Sequence, residues 1–137
     1  MENASNPLPT GYVLDHVWMT KTPALQAELI DFWLRTGALP TREQAEARVP
    51  QAMLLARAAV GGQIVAVSTV YVQFNQQLGH HFYYFRCFVE EAHRRSALAT
   101  NLLTLVYDEL NTRFVAGEQP QILGMVLEVQ NAAINQH

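Results

Sequence analysis

The chain has 137 residues, half of them hydrophobic, with 9 Lys+Arg against 12 Asp+Glu and a net charge of −3. That length supports one domain with its own core. The absence of a basic run or stripe excludes a dedicated nucleic-acid binder. Cys87 is the one cysteine, so no internal disulfide can form and a reducing, cytoplasmic setting is expected. The N-terminus is polar, without the basic start and apolar run of a signal peptide, and no apolar stretch approaches the roughly 20 residues of a membrane span.

Residues 1–10 read as a flexible, Pro-containing lead-in, and 11–137 as a single domain. Tyr12–Met19 is rich in strand formers. Thr22-Pro23 places a cap before a proline at the first helical position, Leu25, Leu29, Phe32 and Trp33 follow at helical spacing, and Gly37 closes the helix. Thr41 with Gln44 resembles a capping box for a second, short helix that Pro50 ends. Met53–Val60 is an apolar strand, Gly61-Gly62 a hairpin signal, and Ile64–Phe74 a strand apolar on both faces, as expected inside a covered sheet. After a turn at 75–79, His81–Val89 returns as an aromatic-rich strand. The period then changes: Ala99, Leu102, Leu103, Val106 and Leu110 mark one face of a helix from about Arg95 to Arg113. Gly117–Pro120 breaks it, Ile122–Val129 reads as the last strand, and Asn131–His137 begins as a further helix. Strand, helix, strand without a hairpin implies a parallel, right-handed crossover. The order β-α-α-β-β-β-α-β-(α) is that of an α/β sheet domain.

The join at Cys87–Thr100 carries the chemistry. A strand entering a helix N-terminus through small residues leaves backbone N–H groups free, and the helix dipole adds positive charge, which suits a phosphate or pyrophosphate. Arg94 and Arg95 add charged donors, and Ser96, Ala97 and Ala99 are small enough for close approach. Two arginines at a helix N-terminus are unfavourable unless an anion faces them.

Arg94-Arg95-Ser96-Ala97-Leu98-Ala99 resembles, without a gap, the Arg/Gln-x-x-Gly-x-Gly/Ala loop of the GNAT superfamily of acyl-CoA-dependent N-acyltransferases, with Ala97 standing where Gly is the rule. Val89 precedes the loop where the family often has a strand Val, and His93 stands where it often has an aromatic residue. Leu102-Leu103 and the downstream Asn131-Ala132-Ala133-Ile134 match further family positions, and the likeness spans roughly 11–137. It implies a GNAT-like mixed sheet: antiparallel N-terminal strands and one parallel βαβ crossover, flanked by helices. It also implies acetyl-CoA as co-substrate, with no metal. Phe88 and Val89 would meet the pantetheine arm, Arg94, Arg95, Ser96, Ala97, Leu98, Ala99 and Thr100 the phosphates, and Asn131 would also face the co-substrate. A backbone N–H near Val89 would polarise the thioester carbonyl. The family's acid, usually a Tyr after the fifth strand, falls at His137. Its base is often a strand-four Glu, and here the first carboxylate is Glu90. The family continues with more helix and two further strands, so the resemblance implies an incomplete C-terminus, or an exposed edge and a homodimer.

Other candidates have plainer readings. Cys87 reads as a small buried strand residue and His80-His81 as a solvated turn. Adjacent Asp15 and His16 point to opposite faces. Phe82–Phe85 lines either an acceptor pocket or the core. Glu128 faces either the acceptor or solvent, and Trp18 and Trp33 read as core anchors. Three functions follow: acetyl transfer to an amine of a small molecule or peptide, an inactive GNAT-like domain that binds CoA or a protein partner, or an unrelated α/β interaction domain.

Overall fold

The structure is a computed structural model that describes residues 7–119 and 121–128. Its elements are β1 (Tyr12–His16), α1 (Pro23–Thr36), α2 (Arg42–Arg48), β2 (Ala52–Ala58), β3 (Ile64–Asn75), β4 (His80–Val89), α3 (Leu98–Val115) and β5 (Ile122–Leu127), with short 3₁₀ turns at Val49–Gln51 and Glu91–Ser96. The five strands form one sheet in the order β1-β2-β3-β4-β5. All neighbours are antiparallel except β4 and β5, which are parallel and joined by α3. This is the expected mixed sheet with one parallel crossover.

Both capped helices form as their sequence predicts. Thr22 Oγ1 accepts the Leu25 N–H at 3.1 Å, and Gly37 closes α1 at φ 78°. Thr41 Oγ1 accepts the Gln44 N–H at 3.2 Å. A cap of this kind stabilises a helix by about 1 kcal/mol. The first strand is shorter than expected. It ends at His16, and Val17 turns inward with its N–H on the Met53 carbonyl at 2.9 Å.

Helices cover both faces of the sheet and make two cores. On one face Leu29, Phe32 and Trp33 of α1 pack with Ala45 of α2 onto Leu55 and Val67. On the other, Leu98, Leu102, Val106 and Leu110 of α3 pack onto Met53, Val65, Val70 and Phe85. Strand β3 lies in the middle, and Ile64–Val70 is buried on both faces, as its apolar run predicts. A bulge in β2 places Met53 and Leu54 opposite the single residue Ser68, between the pairs Ala52↔Thr69 and Leu55↔Val67. Ser68 is fully buried, and its hydroxyl serves both the N–H and the C=O of Leu54, which supplies partners where the ladder is interrupted.

Three expectations need correction. Helix α3 begins at Leu98, because 91–96 winds as a 3₁₀ turn first. Its buried stripe is therefore the i+4 series from Leu98, while Ala99 is exposed and Leu103 half-buried. Trp18 is half-buried against the α3-side core, unlike the fully buried Trp33.

Candidate active site at the fork between β4 and β5

The parallel ladder runs through Tyr83↔Met125, Tyr84↔Val126 and Phe85↔Leu127, and its last rung is the Glu128 N–H to the Phe85 carbonyl at 2.9 Å. Among the described residues no strand pairs with 86–89 on that side. On its other side β4 keeps its pairs with β3 up to Ala66↔Val89. Antiparallel ladders aim backbone groups alternately to the two sides. Glu90 donates to Val65 on the β3 side, so the groups of Cys87 and Val89 face the open side. Within the described residues the β4–β5 ladder thus ends at Glu128, and beyond it the backbone groups of Cys87 and the Val89 N–H have no strand partner.

This end of β4 leads directly into the loop read from sequence as an anion cradle. The loop is held at four points. The Glu90 carboxylate takes an ion pair from Arg35 at 3.0 Å, and Arg35 also donates to the Ile64 carbonyl. Tyr12 and His93 Nδ1 share a hydrogen bond of 2.8 Å. Arg94 Nε donates to the Val89 carbonyl at 2.9 Å, with its guanidinium over the Phe88 ring. Ser96 donates back to the His93 carbonyl. Both arginines are exposed, but Arg94 braces the loop through Val89, and Arg95 is the one of the pair not used in that bracing. Helix α3 has Ala97 as its N-cap residue, which provides no side-chain cap, in contrast to Thr22 at α1 and Thr41 at α2. Its first-turn N–H groups are left for a ligand or water. Ala99 and Thr100 are exposed there, and Leu98 is buried in the core. Ala97 itself has φ 65°, the only positive φ outside glycine among the described residues. The loop thus takes a backbone conformation suited to Gly, although Ala fills the position.

A second set of groups, which sequence reading did not assemble, lies at the fork on the α1/α2 face. Thr69 and Tyr71 of β3 stand opposite Arg86 and Tyr84 of β4. Tyr71 and Tyr84 stack at 5.3 Å between ring centroids, and the Arg86 guanidinium lies 4.6 Å over the Tyr71 ring. Tyr71 donates to Glu128 Oε1 at 2.9 Å, and Arg86 Nε is 3.7 Å from the same oxygen. Arg86 also donates to Gln51 Oε1. Arg48, at the end of α2, is within electrostatic reach of Arg86, Glu128 and Tyr71. Burial and then the Glu128 carboxylate push the Tyr71 phenol above its ordinary value. Burial and then Arg86 lower the Arg48 guanidinium. Glu128 therefore faces neither empty solvent nor the core. It is the carboxylate at the fork. The signal in the sequence was Arg86, a charge in an otherwise aromatic and apolar strand.

The remaining candidates separate cleanly. Tyr83 and Phe85 are buried toward α3, while Phe82 and Tyr84 lie on the other face, so the aromatic run divides between core and site. Cys87 packs at the margin of the α3-side core, and burial pushes its thiol up to about 12. A thiol raised in this way stays protonated at neutral pH, which disfavours a nucleophilic role. His80 and His81 are exposed at a turn, and no group of three metal-ligating residues occurs among the described residues. Asp15 pairs with Arg57. Asn131 and His137 lie outside the described residues. Among those described, no helix is long and apolar enough to cross a membrane.

Several solved structures similar to this fold are acetyltransferases. The fold is that of the GNAT acetyltransferases. An aminoglycoside acetyltransferase from an uncultured soil metagenomic sample, in complex with sisomicin, is 14% identical at a TM-score of 0.55, covering 92% of this chain and 84% of that one. Glucosamine-6-phosphate N-acetyltransferase from Arabidopsis thaliana is 9% identical at 0.56, covering 91% and 88%. A GNAT family acetyltransferase from Staphylococcus aureus is 10% identical at 0.55, covering 89% of each chain. By sequence, no family model and no curated protein matches the chain. The GNAT likeness is thus one of fold.

Proposed function

We propose that the protein is an N-acetyltransferase that moves the acetyl group of acetyl-CoA to an amine of a small molecule or peptide. The observation that carries this reading is the passage from the end of β4 into the loop at 90–97. The end of β4, where Cys87 and the Val89 N–H have no strand partner among the described residues, runs directly into a braced loop and an uncapped helix N-terminus. An extended arm with amide groups can pair with that edge as an added strand, and its pyrophosphate can meet the N–H groups of 98–100 and the Arg95 guanidinium. The thioester then lies near the fork. The amine nitrogen bonds to the carbonyl carbon, the carbon–sulfur bond breaks, the amine proton leaves to a base, and the thiolate takes a proton.

Glu90 is tied to Arg35 at 3.0 Å and braces the loop. Glu128 stands at the fork itself, and its Oε1 is shared by the Tyr71 hydroxyl and Arg86. We assign the proton to Glu128, directly or through one water.

A second reading is favoured by Arg94 and Ala97: a domain that binds CoA or a protein partner without turnover. Arg94 is committed to Val89, and Ala97 narrows the loop where Gly would open it. One titration separates the two. Acetyl-CoA at a hundred times its Kd stabilises the folded state by about 2.7 kcal/mol, several degrees in melting temperature. Arg95→Ala is expected to remove most of that shift. Release of CoA thiol on adding an amine, lost in Glu128→Gln, marks the enzyme. A shift without thiol release leaves the binding domain, and no shift at millimolar ligand rejects acetyl transfer and CoA binding alike, leaving only a protein partner.

A further inference from the structure

The groups on the α1/α2 face of the fork do not balance in charge. Arg86 lies 3.7 Å from the carboxylate of Glu128 and bonds Gln51, three residues after Arg48, and Arg48 is a second guanidinium within electrostatic reach of both Arg86 and Glu128. Arg48 makes none of the ion pairs among the described residues. Glu43 and Glu46 of its own helix are exposed, and Glu46 is paired with Arg42. The Arg86 side chain is only 13% exposed, and its Nε lies buried without a hydrogen bond, 3.7 Å from Glu128. Thr69 Oγ1, opposite Arg86 on the same face, is also buried and unpartnered. Orphaned donors in a half-desolvated site of net positive charge are costly unless something negative completes them. Two stacked tyrosines form the adjacent wall, and Asn75 Nδ2 fixes the Tyr84 hydroxyl at 3.0 Å.

We propose that this site selects its acceptor by charge: Arg48 and Arg86, with Thr69, bind a carboxylate or phosphate group that the acceptor carries in addition to its amine. The proposal rests on the acetyl-transfer reading for the word acceptor, though the anion site itself can be measured without it. Guanidinium groups are suited to both anions through paired N–H donors. The placement is selective in the other direction too. Polycationic amines meet two like charges and one carboxylate that is already shared, and are disfavoured.

The test uses matched pairs that differ in the anion alone: glycine against glycinamide, and O-phosphoethanolamine against ethanolamine. Occupancy is read from the ring resonances of Tyr71 and Tyr84 by NMR, which report this face and not the loop at 90–97. The anionic member of at least one pair is expected to bind ten-fold or more tightly than its partner, and whichever pair shows it identifies carboxylate or phosphate. Arg48→Gln and Arg86→Gln should each abolish the preference, while Arg86→Lys keeps part of it. Arg48 lies at the end of a helix, so its substitution keeps the test valid if the more buried Arg86 variants unfold. Equal binding within both pairs, no binding by any of the four, or a preference that survives Arg48→Gln and Arg86→Gln overturns the proposal. The acetyl-CoA titration is independent. A preference without an acetyl-CoA shift removes acetyl transfer and leaves the anion site, and the converse leaves acetyl transfer and removes the site.

Discussion

Ala97 holds a conformation its side chain opposes. The other positive-φ residues among those described are all glycines. The left-handed region costs an L-residue about 1–2 kcal/mol. Glycine avoids that cost but loses about 0.5–1 kcal/mol more chain entropy on folding. Ala97→Gly is therefore expected to stabilise the protein by about 0.5–1 kcal/mol, read as a higher urea midpoint at unchanged slope. An unchanged or lower midpoint would mean that the loop relaxes without strain. Sequence marks this residue as the departure from the glycine loop but cannot give the sign of its φ. An alanine by itself argues for negative φ. The positive value comes from its neighbours, because buried Val89 and Leu98 fix the strand end and the helix start, and the turn must bridge them. Arg94 was hidden in the same way. Its charge is legible, while its turn back onto the Val89 carbonyl depends on the position of Phe88 beneath it.

At the scale of elements, β1, β2 and α1 meet on Arg57. Its guanidinium donates to both oxygens of Glu28, at 2.7 and 2.9 Å, to Asp15 at 3.2 Å and to the Gly62 carbonyl at 3.0 Å. The Arg57 hydrogen bond holds the Glu28 carboxyl below its ordinary value. A lowered carboxylate adds stability that is present above its unfolded pKa and is lost as pH falls through the folded one. Arg57→Leu is thus expected to cost about 1 kcal/mol at pH 7, a figure held low because Glu28 is half-exposed. The gap to wild type should be narrower at pH 3, below the ordinary carboxylate range, as falling pH drives a proton onto Glu28. Urea curves of both proteins at the two pH values check this, and an equal gap at both would assign the loss to packing. Elements of this kind were readable where the cause is local: Thr22, Thr41 and Gly37 each act within one turn. The fork cluster was not, because Tyr71 and Glu128 are 57 residues apart and meet only after β4 has paired with both neighbours.

For the whole molecule, the sheet separates two cores, and the question is whether they unfold as one. Strand β3 argues that they do. Val67 belongs to the α1/α2 core, and Val65, Ala66 and Val70 belong to the α3 core, so neither core can lose β3 without exposing the other. Each core has its own tryptophan. Trp33 is 1% exposed in the first. Trp18 packs against the second, edge-on to Tyr83 at 6.5 Å between centroids and with the Arg113 guanidinium 5.2 Å from its ring. Trp18→Phe leaves Trp33 as sole reporter, and Trp33→Phe leaves Trp18. Within each variant, the fluorescence transition in urea is expected to coincide with that from far-UV circular dichroism, as for a two-state domain. The two variants should differ in midpoint, with Trp33→Phe the lower, since its ring is fully enclosed and a smaller ring leaves a void. A fluorescence transition that precedes the dichroism in the Trp18-reporting variant alone would show that α3 and the parallel strand open first. In that case the fork, which α3 positions through Leu98, would be the least stable part of the fold, and ligand at the loop should draw the two transitions together.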